Sequence, residues 1–313
     1  MPKSYWRVNY ALRPAKNIER KMFCEVFNRL VEFGRVDAYR YIGFGSTFFS
    51  DFSLFHKSLK ISNNISLERE VEDKERFEFN KPYRCIKILL GESNEILPKL
   101  PWDVRTIIWL DYDEPLNQSI LTDVAFVCSN IISGSILIIT VDAEPEEFRH
   151  RVKSLKENVG IEKLPEEVSE PRLGDWGTAI FSRRIITNEI NMTIRDRNGA
   201  RQPGNKFIYK QLFNFHYADG NKMLTVGGLL YDEGQAEIVA KCGFENFHFV
   251  KKGEEAYEIK VPSLTLKEIR HIDKQLPCED LHRIDVPSIP FNDIESYAQI
   301  YRYFPTFVDA EIG

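Results

Sequence analysis

The sequence predicts an α/β protein: a doubly wound parallel sheet with a terminal antiparallel β-hairpin, an N-terminal helix and a C-terminal helical extension. Three observations predict it. Between Tyr39 and Asn158, short apolar runs alternate five times with helix-like stretches. Those runs are almost continuously apolar, as strands buried on both faces are. Farther along, two strand-like runs flank the turn Ala218-Asp-Gly-Asn-Lys222, a hairpin signal. Right-handed crossovers then place helices on both faces of the sheet.

Each element has its own justification. Leu12, Ile18, Met22, Phe23, Val26, Phe27 and Leu30 recur at helical spacing, with Pro14 suited to the first turn and Gly34 to the stop. The basic residues Arg13, Lys16, Arg20 and Lys21 on this helix read either as a solvated face or as a contact for an anionic ligand. The five strand–helix units follow. Strand 39–43 leads to a helix near 47–60, strand 64–68 to one near 70–80, and strand 85–90 to a short one near 94–100. Strand 106–110 leads to a helix near 118–132, and strand 135–141 to one near 145–158. Residues 158–176 carry glutamates, prolines and glycines and read as a connector or lid. Residues 178–197 fit either a helix or a pair of short strands. The hairpin strands cover 210–217 and 223–231, followed by a helix near 235–242 and a strand near 247–250. In the tail, Thr265 and Glu268 are spaced as a capping box for a helix to Gln275, and 293–303 reads as a last helix. The expected organisation is a helical cover over 1–35, a main domain over 36–250 with an insertion near 158–206, and a C-terminal extension over 251–313. The extension is suited to packing on the domain or on a second subunit, to docking a partner or to selecting substrate.

Bulk properties narrow the class. Of 313 residues, 43% are hydrophobic and 28% charged, ordinary values for a globular protein. No apolar run reaches the roughly 18 residues of a membrane span. Met1–Arg7 lacks the apolar core of a signal peptide, and the expectation is a cytoplasmic protein. The five cysteines form no Cys-x-x-Cys pair, which indicates neither a zinc site nor a disulfide framework. A net charge of −5 gives no general nucleic-acid footprint. No Gly-x-Ser-x-Gly elbow and no P-loop occurs, which argues against a serine hydrolase and a P-loop NTPase.

The chemistry-bearing residues gather at the C-terminal ends of the predicted strands, where open α/β sheets bind ligands. After the first strand come Gly43, Phe44, Gly45 and Ser46; after the second, Glu68 and Arg69; after the third, Gly91, Glu92 and Ser93. After the fourth come Asp111, Tyr112 and Asp113, and after the fifth Asp142 and Glu144. Glycines admit close backbone approach and the following helix start offers free N–H groups, while an acid about 20 residues on accepts ribose hydroxyls. By itself a Gly-x-Gly pair is also compatible with a plain tight turn. Asp111, Asp113 and Asp142 are candidates to take a proton from a substrate hydroxyl, directly or through a divalent cation. Alternatively Asp111 and Asp113 cap the next helix or meet only a cofactor. His216, in the first hairpin strand, is either a packed histidine or a site residue.

This order of elements resembles the class I S-adenosylmethionine-dependent methyltransferases, whose Rossmann-like sheet has five parallel strands and a closing antiparallel pair. The resemblance covers about residues 36–250 and is strongest to O-methyltransferases, since Gly91-Glu-Ser-Asn-Glu-Ile-Leu-Pro-Lys-Leu100 is similar to the matching stretch of the catechol type. It implies S-adenosylmethionine as cofactor. Gly43, Phe44, Gly45 and Ser46 would wrap its methionine part, Glu68 with Arg69 its ribose, and Gly91, Glu92 and Ser93 its adenine. Asp111, Tyr112 and Asp113 would border the transfer centre, Asp111 and Tyr112 also meeting the cofactor, with Asp111, Asp113 and Asp142 as catalytic candidates. The implied partner is a methyl-acceptor substrate of unknown identity, with transfer to oxygen. Two departures touch the methionine end: Tyr41 stands where the family usually has an acid, and Thr47 where it has a third glycine. They keep open an alternative, a silent relative that binds an adenosine-type nucleotide as a sensor or scaffold. The catechol type holds its metal with an acid after strand four and an Asp-Asn pair after strand five; here Asp142 is followed by Ala143, so one ligand is missing, and no metal is assigned. The motif of exocyclic-amine methyltransferases is absent after the fourth strand. An NAD-dependent dehydrogenase would want a third glycine and no hairpin.

Overall fold

The computed structural model describes residues 13–305. Leu12 of the expected first helix, the Met1–Arg7 stretch and residues 306–313 of the expected extension lie outside them. Eight strands form one sheet in the order β3-β2-β1-β4-β5-β7-β6-β8. They are β1 Arg40–Gly43, β2 Asn63–Glu68, β3 Ile86–Leu90, β4 Thr106–Pro115, β5 Ser135–Asp142, β6 Phe207–Asp219, β7 Asn221–Asp232 and β8 Tyr257–Ile259. β1 to β5 pair parallel. β7 runs antiparallel to both β5 and β6, and β8 pairs parallel with β6. This is the five-strand parallel sheet with an antiparallel closure that the sequence predicts. The order reverses between β1 and β4, the switch point at which open sheets leave a crevice.

Alternation sends successive strand residues to opposite faces. Tyr41, Ile107, Trp109, Ile138, Phe213 and Phe215 enter one buried cluster, and Ile42, Ile108, Leu110, Leu137 and Ile139 the other. The first face is covered by α1 (Pro14–Asn28), α2 (Ser50–Leu59) and the later helix Ala236–Cys242; the second mainly by Gln118–Asn130 and Gly177–Asn198. Both faces being dry explains why β4 and β5 read as unbroken apolar runs. We number the remaining helices α3 (Lys74–Asn80), α4 (Ser93–Ile96), α5 (Gln118–Asn130), α6 (Arg151–Val159), α7 (Gly177–Asn198), α8 (Ala236–Cys242), α9 (Leu266–Asp273) and α10 (Phe291–Ile300).

α1 belongs to the central core. Its Phe23 ring lies 5.0 Å from Trp109 and 4.6 Å from Phe213. Asp219, at the hairpin tip, caps the helix by accepting from the N–H groups of Ala15 (3.2 Å) and Lys16 (2.9 Å). The tail returns to the same helix: Tyr303 donates to Glu25 (2.7 Å) and Lys21 to the Phe304 carbonyl (3.1 Å). α9 and α10 also form a satellite cluster of Ile269, Ile272, Ile284, Ile294 and Tyr297, and the expected capping box of Thr265 and Glu268 is present.

Several boundaries differ from expectation. α2 begins at Ser50, so the turn of residues 44–49 extends past Thr47, where the sequence predicts the helix to begin. β4 continues to Pro115 past an irregularity in its pairing, which puts Asp111, Tyr112 and Asp113 inside the strand. Residues 247–250 are not a strand; the last strand is Tyr257–Ile259, where Tyr257 and Ile259 point inward and Glu258 is not buried. The ambiguous stretch 178–197 is one helix, α7, whose Phe181, Ile185, Ile186, Ile190 and Ile194 are buried. No described helix is long and apolar enough to cross a membrane.

Candidate active site

The loop from β1 to α2 is shaped by the chain's own close contacts. A Cβ on Gly43 would strike the Tyr41 hydroxyl and come within 3.2 Å of Asp51 Oδ2. One on Gly45 would lie 2.5 Å from both the Phe49 ring and Ser66 Oγ. The sequence reading assigned these glycines to ligand approach; their neighbours are side chains of the same fold. Ser46 and Phe49 complete the turn with φ of +54° and +47°. Tyr41 donates a short hydrogen bond to the buried Asp51 carboxylate. An acid therefore does stand beside the first glycine, supplied from the first turn of α2 instead of from β1.

Glu68 ends β2 with 5% of its surface exposed. Its Oε1 accepts from the Gly45 N–H (3.0 Å) and the Ser66 hydroxyl (2.6 Å). Burial pushes this carboxyl up to about 7, against the opposing pull of the Ser66, Gly45 and Ser46 donors. Its neighbour Arg69 is exposed, with Nε 3.7 Å from Glu70. Gly91, at φ +133°, donates to the Glu68 carbonyl (3.0 Å) and ties the ends of β2 and β3 together. Glu92 is exposed just before α4. Ser93 turns inward to Asp123 Oδ2, which also accepts from Tyr112 (2.6 Å). Asp123 is 1% exposed, its Oδ1 has no hydrogen-bond partner, and burial pushes its carboxyl up. The Phe44 and Tyr112 rings meet edge to face at 5.1 Å.

Around Asp111, within β4, lies a largely buried charge cluster. Lys16 of α1 donates to Asp111 Oδ1 (2.7 Å) and to the Tyr217 hydroxyl (2.9 Å), and sits 3.0 Å from Glu19 Oε2. Its ammonium lies 4.3 Å from the Trp109 ring centre. Burial pushes the Glu19 and Asp51 carboxyls up; nearby Lys16 and Arg20 respectively pull them back. Trp109 Nε1 donates to Thr140 Oγ1 (2.9 Å), whose hydroxyl pairs with that of Thr225 (2.7 Å).

The structure thus brings Gly45 and Glu68 into contact, Phe44 against Tyr112, and Ser93 with Tyr112 onto Asp123. It joins neither Asp113 nor Asp142 to the Lys16–Asp111 pair. Asp113 is exposed, and Asp142 accepts from the Glu144 N–H (2.7 Å) and the Asn221 side chain (3.0 Å) at the hairpin. His216 is a packed histidine: it stacks on Trp176 at 4.7 Å and burial lowers it to about 4. Lys16 and Arg20 are buried, so the solvated-face reading fails for them. Glu19, Asp51, Asp123 and Tyr217 escaped sequence reasoning. For Asp51 a signal existed, an acid in the first turn after a glycine loop. Among the described residues no group of three or more His, Cys, Asp and Glu side chains is arranged to hold a metal ion.

The carboxylates of Glu68 and Asp123 are hydrogen-bond acceptors, and Asp123 Oδ1 has no partner. No curated protein matches the sequence. Solved structures with similar folds include Trm1 from Pyrococcus horikoshii with S-adenosyl-L-methionine, at 12% identity and TM-score 0.44, covering 75% of this chain and 60% of that one. Another is the O-methyltransferase from Bacillus cereus in complex with SAH, at 14% identity and TM-score 0.36, covering 66% and 80%. A third is spermidine synthase from Thermotoga maritima, at 11% and 0.39, covering 77% and 68%. A family model described as "Putative O-methyltransferase" matches residues 8–312, nearly the whole chain, and the protein belongs to this methyltransferase family.

Proposed function

We propose that the protein transfers the methyl group of S-adenosylmethionine to an oxygen nucleophile. The observation that carries this reading is Glu68 at the C-terminal end of β2, bonded to the Gly45 amide of the β1 loop at 3.0 Å. The cofactor supplies an electrophilic methyl on sulfur. Glu68 would hold its ribose hydroxyls, and Asp123 with Ser93 and Tyr112 the polar edge of its base. Gly43, Phe44, Gly45 and Ser46 would run along its methionine side, with Gly91 and Glu92 closing the adenine end. Arg69, being exposed, would at most meet its outer edge. Asp111 would accept the proton of the acceptor hydroxyl, while Lys16 fixes the orientation of its carboxylate. Asp113 and Asp142 are set aside as catalytic groups in this reading, since one is exposed and the other serves the hairpin. The Tyr41–Asp51 pair offsets the departure at Tyr41, which disfavours a silent nucleotide sensor.

Isothermal titration with S-adenosylmethionine, S-adenosylhomocysteine, NAD and ATP tests this reading. Micromolar binding of the first two alone is expected. Glu68→Ala should weaken both by about 10-fold or more, as loss of a charge-assisted hydrogen bond does. Binding of only ATP or NAD would overturn the assignment.

A further inference from the structure

Three arginines are at least nine-tenths buried among the described residues: Arg20, Arg40 and Arg183. Arg40 donates through Nε and both terminal nitrogens, to Thr106 Oγ1 and the Pro101 carbonyl. Arg183 donates to Gln211 and the Gly253 carbonyl. Arg20 differs. It is 6% exposed, and its Nε and Nη1 have no hydrogen-bond partner. A buried guanidinium with open donors is costly to maintain, so such a group points to a missing acceptor. One turn earlier on α1, Lys16 is fully engaged by Asp111, Tyr217 and Glu19. The Asp51 carboxylate feels the charge of Arg20 but is bonded to Tyr41. Asp51 in turn lies against Gly43, so Arg20 sits behind the first glycine of the loop, with the Trp109 ring centre 6.0 Å away.

We propose that Arg20 is a carboxylate-binding residue of the active site, taking the carboxylate of a bound ligand through its open N–H donors. The inference rests on the methyltransferase reading above. Two sources carry this chemistry: the amino-acid end of the methyl donor and a carboxylate on the methyl acceptor. A single negative charge fits better than a phosphate dianion, because the Asp51 carboxylate already feels the Arg20 charge.

The test is titration of the wild type, Arg20→Gln and Arg20→Lys with S-adenosylhomocysteine and with 5′-methylthioadenosine, which lacks the amino-acid end. Benzoate is then titrated into the S-adenosylhomocysteine complex as a carboxylate probe. If Arg20 holds the donor, Arg20→Gln weakens S-adenosylhomocysteine by about 10-fold or more, leaves 5′-methylthioadenosine unchanged, and Arg20→Lys recovers part of the loss. If it holds the acceptor, both nucleosides bind as before and benzoate binding is lost. Wild-type affinities for all three probes in a folded Arg20→Gln protein overturn the inference alone. Failure of the wild type to bind either nucleoside overturns the methyltransferase reading beneath it.

Discussion

Glu68→Gln separates the charge of the carboxyl from its shape. In the native fold Glu68 Oε1 accepts from Gly45 and Ser66, and a glutamine amide oxygen accepts from the same donors. What the substitution removes is ionisation. Burial raises the carboxyl from an ordinary 4.5 to about 7, a gap worth about 3 kcal/mol at ~1.36 kcal/mol per pH unit. The native state therefore holds this proton more tightly than the unfolded chain does. Its contribution is fully present below about pH 4.5 and is lost as the pH rises to about 7. Urea unfolding of both proteins at about pH 4.5 and about pH 8 reads the effect. Glu68→Gln should gain about 3 kcal/mol on the wild type between these two conditions. The comparison reads mainly Glu68, because Glu19 and Asp123 titrate alike in both proteins and the Asp51 charge is the smallest of the causes that shift Glu68. A wild-type/variant difference that is the same at both pH values would refute the reasoning. A ligand whose hydroxyls donate to Glu68 prefers the carboxylate, so S-adenosylhomocysteine affinity should rise with pH over the same interval in the wild type and stay flat in Glu68→Gln.

Gly45→Ala would drive a methyl into the Phe49 ring and Ser66 Oγ; a loss of about 1–3 kcal/mol in urea unfolding is expected, with weaker S-adenosylhomocysteine binding. Phe23→Ala should cost about 3–5 kcal/mol, because its ring fills the space between α1, Trp109 and Phe213. A small loss there would mean that α1 is a detachable cover. Thr265→Ala removes the side-chain half of the α9 capping box, leaving the backbone N–H of residue 265 on Glu268, and should cost about 1 kcal/mol, with faster proteolysis confined to the satellite cluster of the tail.

The architecture was legible because strand burial and helix burial leave different periods in a sequence. The unbroken apolar runs Ile107–Leu110 and Ile136–Ile139 could only be strands covered on both faces, and the Asp219–Asn221 turn fixed the hairpin. α7 was harder to read. Its Ile and Thr content suits a strand locally, while the spacing of Phe181, Ile185, Ile186, Ile190 and Ile194 favours a helix only when the whole length is weighed. β8 is three residues long and paired at one edge, too short to leave a period at all.

The strand-end residues were legible for a different reason: the sheet delivers them to one edge whatever they contact. What each contacts is set by partners remote in sequence, and there the local pattern fails. Asp111 looks like a free strand-end acid until α1 delivers Lys16 from 95 residues away, and Asp142 looks like its twin until the hairpin delivers Asn221 from 79 residues away. The basic run of α1 illustrates the same limit. Its four cations appear equivalent in the sequence, yet Lys16 is consumed by the Asp111 cluster, Lys21 by the C-terminal segment, and Arg20 is buried with donors to spare. The departures from the family pattern follow this logic too. The acid missing at Tyr41 reappears ten residues later as Asp51, because what the loop needs is a carboxylate in space beside Gly43, and a tyrosine hydroxyl can reach across to hold one there.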